Sequence, residues 1–240
     1  MPSRDPLFVI TGVIGLFLLL YFLSRKLRWF SGSEAESIES HIAQLLKSFG
    51  RATSPVDAAV LRELYHRGDF PSMLGWIKQS MRLDLRVGLR IVDAAGKSAP
   101  MWIETPRKMP AYGTPEFRKT QVIVNVRREI IQQRPFDWIV AGFAHELSHV
   151  VLFSIGHPLQ HNEKAVDLTA MILGYREFIA NTDRTEIHGG AAAMGLSLLA
   201  LPFGIVFMPG RTHSSLGYLT KREKKLASAY LRRIERARGD

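Results

Sequence analysis

Residues Phe136 to Phe153 form an apolar run of helical length, free of internal proline and carrying His145-Glu146-Leu147-Ser148-His149. A helix apolar on every side has to lie inside a fold. Glu146 beside two histidines in such a helix is costly to bury without a cation or a hydrogen-bonding partner. On a helix, positions four apart share one face, so His145 and His149 aim their imidazoles at one place. Two neutral imidazoles at that spacing make half of a tetrahedral zinc site, and Glu146 is a candidate general base beside it.

A catalytic zinc needs a third protein ligand and an open fourth position for water. Pro158 and Asn162 read as the stop and N-cap before a second helix running through Met171, Ile172 and Leu173. Glu163 and Asp167 stack four apart on that helix, and Ala170 and Gly174 roughly continue the stripe. These small residues, with Gly142 on the first helix, let two helices approach closely enough to share a metal. Glu163 is the candidate third ligand. Asp167 is placed to accept the free ring N–H of a ligand histidine and so fix its tautomer. Asp167 itself, His157 and His161 stay open as alternative ligands, although neither histidine falls at the metzincin position, where Ile155 stands. A plainer reading also stays open, with two core histidines and an acidic helix start favoured by the dipole.

At these residues the chain resembles the zincin metallopeptidases, and within them the glutamate-ligand branch. His145 to His149 followed by Asn162-Glu163 and Asp167 looks like the thermolysin-type pair of motifs, and integral-membrane prenyl-protein endopeptidases use a similar Glu-to-Asp spacing. The resemblance spans about Gln121 to Phe178. It implies zinc held by His145, His149 and Glu163, with Glu146 activating the bound water for peptide hydrolysis. The linker from His149 to Glu163 is shorter than in the thermolysin type. The rival class is a membrane-tethered binding or scaffold protein that keeps the fold without the activity.

The chain has 240 residues, enough for one domain with a sizeable core plus appendages. It contains no cysteine, which excludes disulfides and thiolate metal sites. A net charge of +10 favours anionic lipid or nucleic acid, and its distribution argues for lipid. After a short tail (residues 1–6), Leu7 to Leu23 is uncharged and at the short end of what spans a bilayer. No small-x-small cleavage site follows it; Ser24-Arg25-Lys26-Leu27-Arg28 and the interface-type Trp29 do, so it reads as an uncleaved anchor rather than a signal peptide. By the positive-inside rule, the basic flank puts the rest of the chain on the cytoplasmic side of the cell membrane. A second apolar run, Gly189 to Gly210, holds Gly195, Pro202 and Gly204. It reads as a membrane span, a re-entrant hairpin or a buried piece of the domain.

Between these runs the pattern predicts an α+β domain, which the resemblance implies is zincin-like: a helical layer (residues 33–81), then a catalytic core (85–188) with a small sheet, the active-site helix and the glutamate helix. Ser33 with Glu36, Ser54-Pro55 and Asp69 mark three helix starts. Leu85 to Val92, Met101 to Glu104 and Gln121 to Val126 read as strands. Gln121 to Val126 is the candidate edge strand for an extended peptide substrate, as the resemblance implies, and an ordinary core strand is the equally open reading. The C-terminal piece (211–240) carries a capping box at Thr220 and Glu223, with Leu226, Tyr230 and Ile234 under many basic residues. It reads as a solvated helix face or one lying on an anionic leaflet; no aromatic interleaving supports nucleic-acid binding. For the donor that hydrolysis also needs, His157, His161, Tyr175 and Tyr218 are candidates that sequence does not rank.

Overall fold

The computed structural model describes residues 34–93, 99–182 and 217–237, with the backbone of 184–187 and 211–214. Both apolar runs, Leu7–Leu23 and Gly189–Gly210, lie outside the described residues. Among the described residues, no helix is long and apolar enough to cross a membrane.

The chain is a mixed α+β fold with a small three-stranded sheet. A first helix (α1, residues 34–49) buries Ile38, Ile42 and Leu45, which the helical repeat puts on one face. The second, α2 (Ala58–His66), is capped by Asp57, whose carboxylate accepts from the Ala59 N–H. The expected start at Ser54-Pro55 is therefore three residues early. The reason lies downstream: Thr53 N–H donates to the Ile172 carbonyl and Val56 N–H to that of Gly174, so this stretch is docked rather than coiled. Asp69 caps α3 (Phe70–Ser80) through the Ser72 N–H, as its sequence predicts.

Strand β1 (Arg86–Val92), strand β2 (Met101–Glu104) and strand β3 (Gln121–Arg127) stand in the order β1-β3-β2. Parallel pairing joins β1 to β3, and antiparallel pairing joins β2 to β3 with Ile103 opposite Val124. Of the two readings of Gln121 to Val126, the core strand therefore holds, and the substrate-pairing edge does not. Val122, Val124 and Val126 are all fully buried, and a strand that apolar gains most with a partner on each side. Short β2 takes the edge and packs against the apolar helix. Two short helices not expected from the sequence, α4 (Pro115–Lys119) and α5 (Arg128–Gln133), bracket β3. In α4, the Thr114 hydroxyl caps the Phe117 N–H and drives the Phe117 ring into the core.

The apolar run forms α6 (Phe136–Ser154). Pro135 precedes it, Asp137 favours its first turn, and Gly156 at φ +61° lets the chain leave, with His157 N–H returning to the Leu152 carbonyl. Sixteen of its nineteen residues are buried, so it is the central rod of the domain. Helix α7 (Glu163–Ala170) packs along it and leads through an irregular turn, Met171–Tyr175, into α8 (Arg176–Ala180). Gly174 makes that turn at φ +97°, so it serves a break in the helix rather than a continued stripe of small residues. A Cβ there would stand 2.6 Å from the Ser54 carbonyl oxygen.

Beyond α8, β4 (Arg184–Ile187) and β5 (Arg211–Ser214) pair antiparallel with Ile187 opposite Arg211. The segment between these two strands lies outside the described residues. Helix α9 (Lys221–Ala237) begins with the expected capping box: Thr220 Oγ1 accepts from Glu223 N–H, and Glu223 Oε2 accepts from Thr220 N–H. It docks on the domain through buried Ala227 and Leu231, with Arg176 Nη1 donating to Glu235 at 2.8 Å. Its basic residues therefore belong to a packed helix with one wet face.

Replacing Gly174 by alanine should cost about 2 kcal/mol or more, from the left-handed φ and the clash with Ser54. Gly75→Ala, in open space on α3, should stabilise by about 0.5–1 kcal/mol. Thermal or denaturant unfolding of the two variants checks both signs.

Candidate metal centre

Helix α6 presents His145 and His149 on one face, as the four-residue spacing requires, and α7 brings Glu163 across from its first turn. The Asn162 side chain makes this possible by accepting from Ala165 N–H, which starts the helix at Glu163. Glu163 Oε2 lies 3.4 Å from His145 Nε2 and 3.4 Å from His149 Nε2. Both contacts are longer than the 2.7–2.9 Å typical of a charge-assisted hydrogen bond, and Glu163 Oε2 is buried with no hydrogen-bond partner. Donor atoms held about 2.0–2.1 Å from a tetrahedral ion stand about 3.3–3.4 Å apart. The group His145, His149 and Glu163 fits that spacing and could hold a metal ion. Among the described residues it is the one such cluster, and His157 and His161 are not part of it.

Asp167 sits one turn behind Glu163 and is fully buried. Its Oδ1 lies 2.7 Å from His145 Nδ1, which leaves Nε2 of that ring facing Glu163. Its other oxygen, Oδ2, accepts the backbone N–H groups of Tyr218 at 2.7 Å and Leu219 at 3.1 Å. Asp167 thus has no oxygen turned toward the cluster. The sequence reading placed it behind a histidine, and the structure does so. It gave no hint of the clasp from Gly217-Tyr218-Leu219, because the partners are backbone amides more than fifty residues away. Gly217 carries one legible signal: it takes φ +93°, and any Cβ there would sit 2.6 Å from Asp167 Oδ2.

Three carboxylates crowd two imidazoles here, and the protonation states follow. Burial would lower His145, but its hydrogen bond to Asp167, the close Glu163 carboxylate and the charges of Asp167 and Glu146 win, holding it up at about 10. His149 is pushed down to about 4 by burial and by its cationic neighbour His145, so its lone pair is free. The His145 ring holds the Glu163 carboxyl below the usual range, against the opposing effect of burial. Burial lifts Glu146 to about 7, although His145 and a backbone hydrogen bond from Ile103 pull it down. Ile103 belongs to β2, so the edge strand, not β3, runs beside the candidate base.

The four donor candidates now separate. Tyr175 is fully buried with its hydroxyl bonded to Ser80, and His157 is buried with Nδ1 accepting from Leu159 N–H. His161 packs on Phe153, which in turn stacks on His149. Tyr218 stacks on His145 at 5.9 Å between ring centres and is exposed on its outer side. Partial burial and the charges of Glu163, Glu146 and Asp167 push its hydroxyl up, so it stays protonated and able to donate. Tyr218 and His161 both line the open mouth beside Glu163.

Compared with protein-family models, curated proteins and solved structures, the chain matches none.

Glu163→Ala should abolish stoichiometric metal binding, and Asp167→Asn should weaken it about 10- to 100-fold by freeing the His145 ring. Metal uptake must displace the proton that His145 carries below about pH 10. Apparent affinity should therefore rise about tenfold per pH unit between pH 6.5 and 8.5, with at least one proton released. Calorimetry in buffers of different ionisation enthalpy reads both quantities.

Proposed function

We propose that this chain is a membrane-anchored, zinc-dependent hydrolase of peptide bonds, of the glutamate-ligand zincin type. The observation that supports it most is the meeting of His145 Nε2 and His149 Nε2 on a buried, otherwise unpartnered Glu163 oxygen, with Glu146 alongside. His145, His149 and Glu163 would hold the ion. Zinc bound there supplies Lewis-acid polarisation of a carbonyl and brings the pKa of water toward neutrality.

The remaining work falls to this chain's own side chains. Glu146, lifted to about 7, is a base matched to neutral pH. It takes the proton of the attacking water on its carboxylate and gives it to the leaving amine. Tyr218 is the donor we assign to the developing oxyanion, since its ring stacks on His145 and it lines the open mouth beside Glu163. Asp167 keeps the His145 ring in register. The outer edge of β2 runs beside Glu146 and is the one we assign to an extended peptide. These features favour a peptide over a compact small molecule. Leu7–Leu23 is the proposed anchor, with the domain on the cytoplasmic face against anionic lipid.

Glu146→Gln should retain one zinc per chain and lose essentially all hydrolysis of an unfolded casein-like substrate. Tyr218→Phe should keep the metal and KM while kcat drops about 10²-fold or more. Wild-type protein that carries its zinc yet cleaves nothing would favour the tethered scaffold instead. Retained activity in Glu146→Gln would remove that carboxylate from the chemistry.

A further inference from the structure

A cavity of about 600 Å³ lies on the far side of α6 from the metal centre. Val151 and Ile155, two and six positions beyond His149, line it from the side of the helix opposite that histidine. Phe49, Leu83 and Leu173 add apolar surface, beside the hydroxyls of Ser48, Thr53, Ser54 and Ser80. None of its fourteen lining residues is acidic, while Arg51 and Arg82 are both exposed at its rim. Neither arginine has an ion pair or hydrogen-bonding acid among the described residues.

Arg82 is the more telling of the two. It follows α3 at the position where Leu83 N–H returns to the Lys78 carbonyl, a helix ending that favours glycine. Yet an arginine adopts φ +56° there, the one non-glycine residue with positive φ among those described. Its carbonyl is fixed by the Tyr112 hydroxyl at 2.9 Å, and Tyr112 also lines the cavity. The fold thus carries backbone strain at the point where a guanidinium meets an apolar pocket.

We infer that this cavity binds a single-chain anionic amphiphile, an acyl chain inside with a carboxylate or phosphate head at Arg51 and Arg82. The volume is typical of a small-molecule pocket and does not admit the two chains of a phospholipid. Guanidinium groups at the rim favour planar or tetrahedral oxyanions over an alcohol or an ammonium. This assignment stands apart from the metal reading, because it uses none of the same side chains.

The test uses the full chain in neutral phosphatidylcholine nanodiscs with a diazirine-bearing dodecanoic acid as photoprobe. Labelling should saturate and map to peptides containing Phe49, Leu83 and Val151. Dodecanoate and dodecyl phosphate should compete at least tenfold better than dodecanol or dodecyltrimethylammonium, and each added methylene should tighten competition about fourfold. Arg51→Gln with Arg82→Asn should reduce the anionic preference below threefold with unfolding temperature retained, since asparagine tolerates that φ. Unsaturable or scattered labelling, equal competition by the alcohol, or a preference that survives the double variant would overturn the proposal. Full competition by phosphatidylglycerol in the disc would overturn the single-chain assignment. Zinc content and peptide cleavage play no part in these readouts, so failure here leaves the hydrolase reading untouched.

Discussion

The carboxylate of Asp167 ties three parts of the molecule into one arrangement. One oxygen meets His145 on the central helix, and the other collects two backbone amides from the segment that precedes α9. A fully buried carboxylate is stable only with its lone pairs occupied by donors, and each of these donors is charge-assisted. The same bonds set the tautomer of His145, the position of the Tyr218 ring and the start of the C-terminal helix. Lys164 on α7 reinforces the join by donating to Glu223 at 2.6 Å, the residue that also caps α9. Loosening Asp167 would therefore disturb ring, clasp and cap together.

The charge pattern around it has a clear sense. Glu146, Glu163 and Asp167 surround two rings that cannot both be cationic, because each suppresses the proton of the other. One proton on His145 answers part of the negative charge, and a divalent ion answers more of it. Such a site favours a cation that coordinates over one that merely neutralises, since the Glu163 oxygen is buried with no hydrogen to accept. The surrounding apolar helix, by excluding water, sharpens every one of these interactions.

Helical periodicity made much of this readable from the chain. The spacing of His145 and His149, the Asn162 cap before Glu163 and the box at Thr220 and Glu223 are all local, and all appear where the pattern puts them. What stayed hidden was non-local. The order of strands depends on which one gains most from burial on both sides, so β3 took the centre and β2 the edge. The cap of α2 moved to Asp57 because distant carbonyls at Ile172 and Gly174 claim the preceding backbone. The position of Tyr218 rests on amide groups that every residue owns, and no spacing reveals which pair will be used. Gly174 looked like part of a packing stripe and instead makes a left-handed turn.

The clasp on Asp167 has a further consequence for how the protein comes into being. A nascent chain emerging from the ribosome exposes both histidines and Glu163 long before residues 217 to 219 appear, with the second apolar run still to be threaded between them. Until those last amides arrive, the carboxylate behind His145 lacks two of its three donors, and the imidazole it steers is unsteadied. Completion of the Asp167 clasp is thereby deferred to the final stretch of translation, where residues 218 and 219 are made.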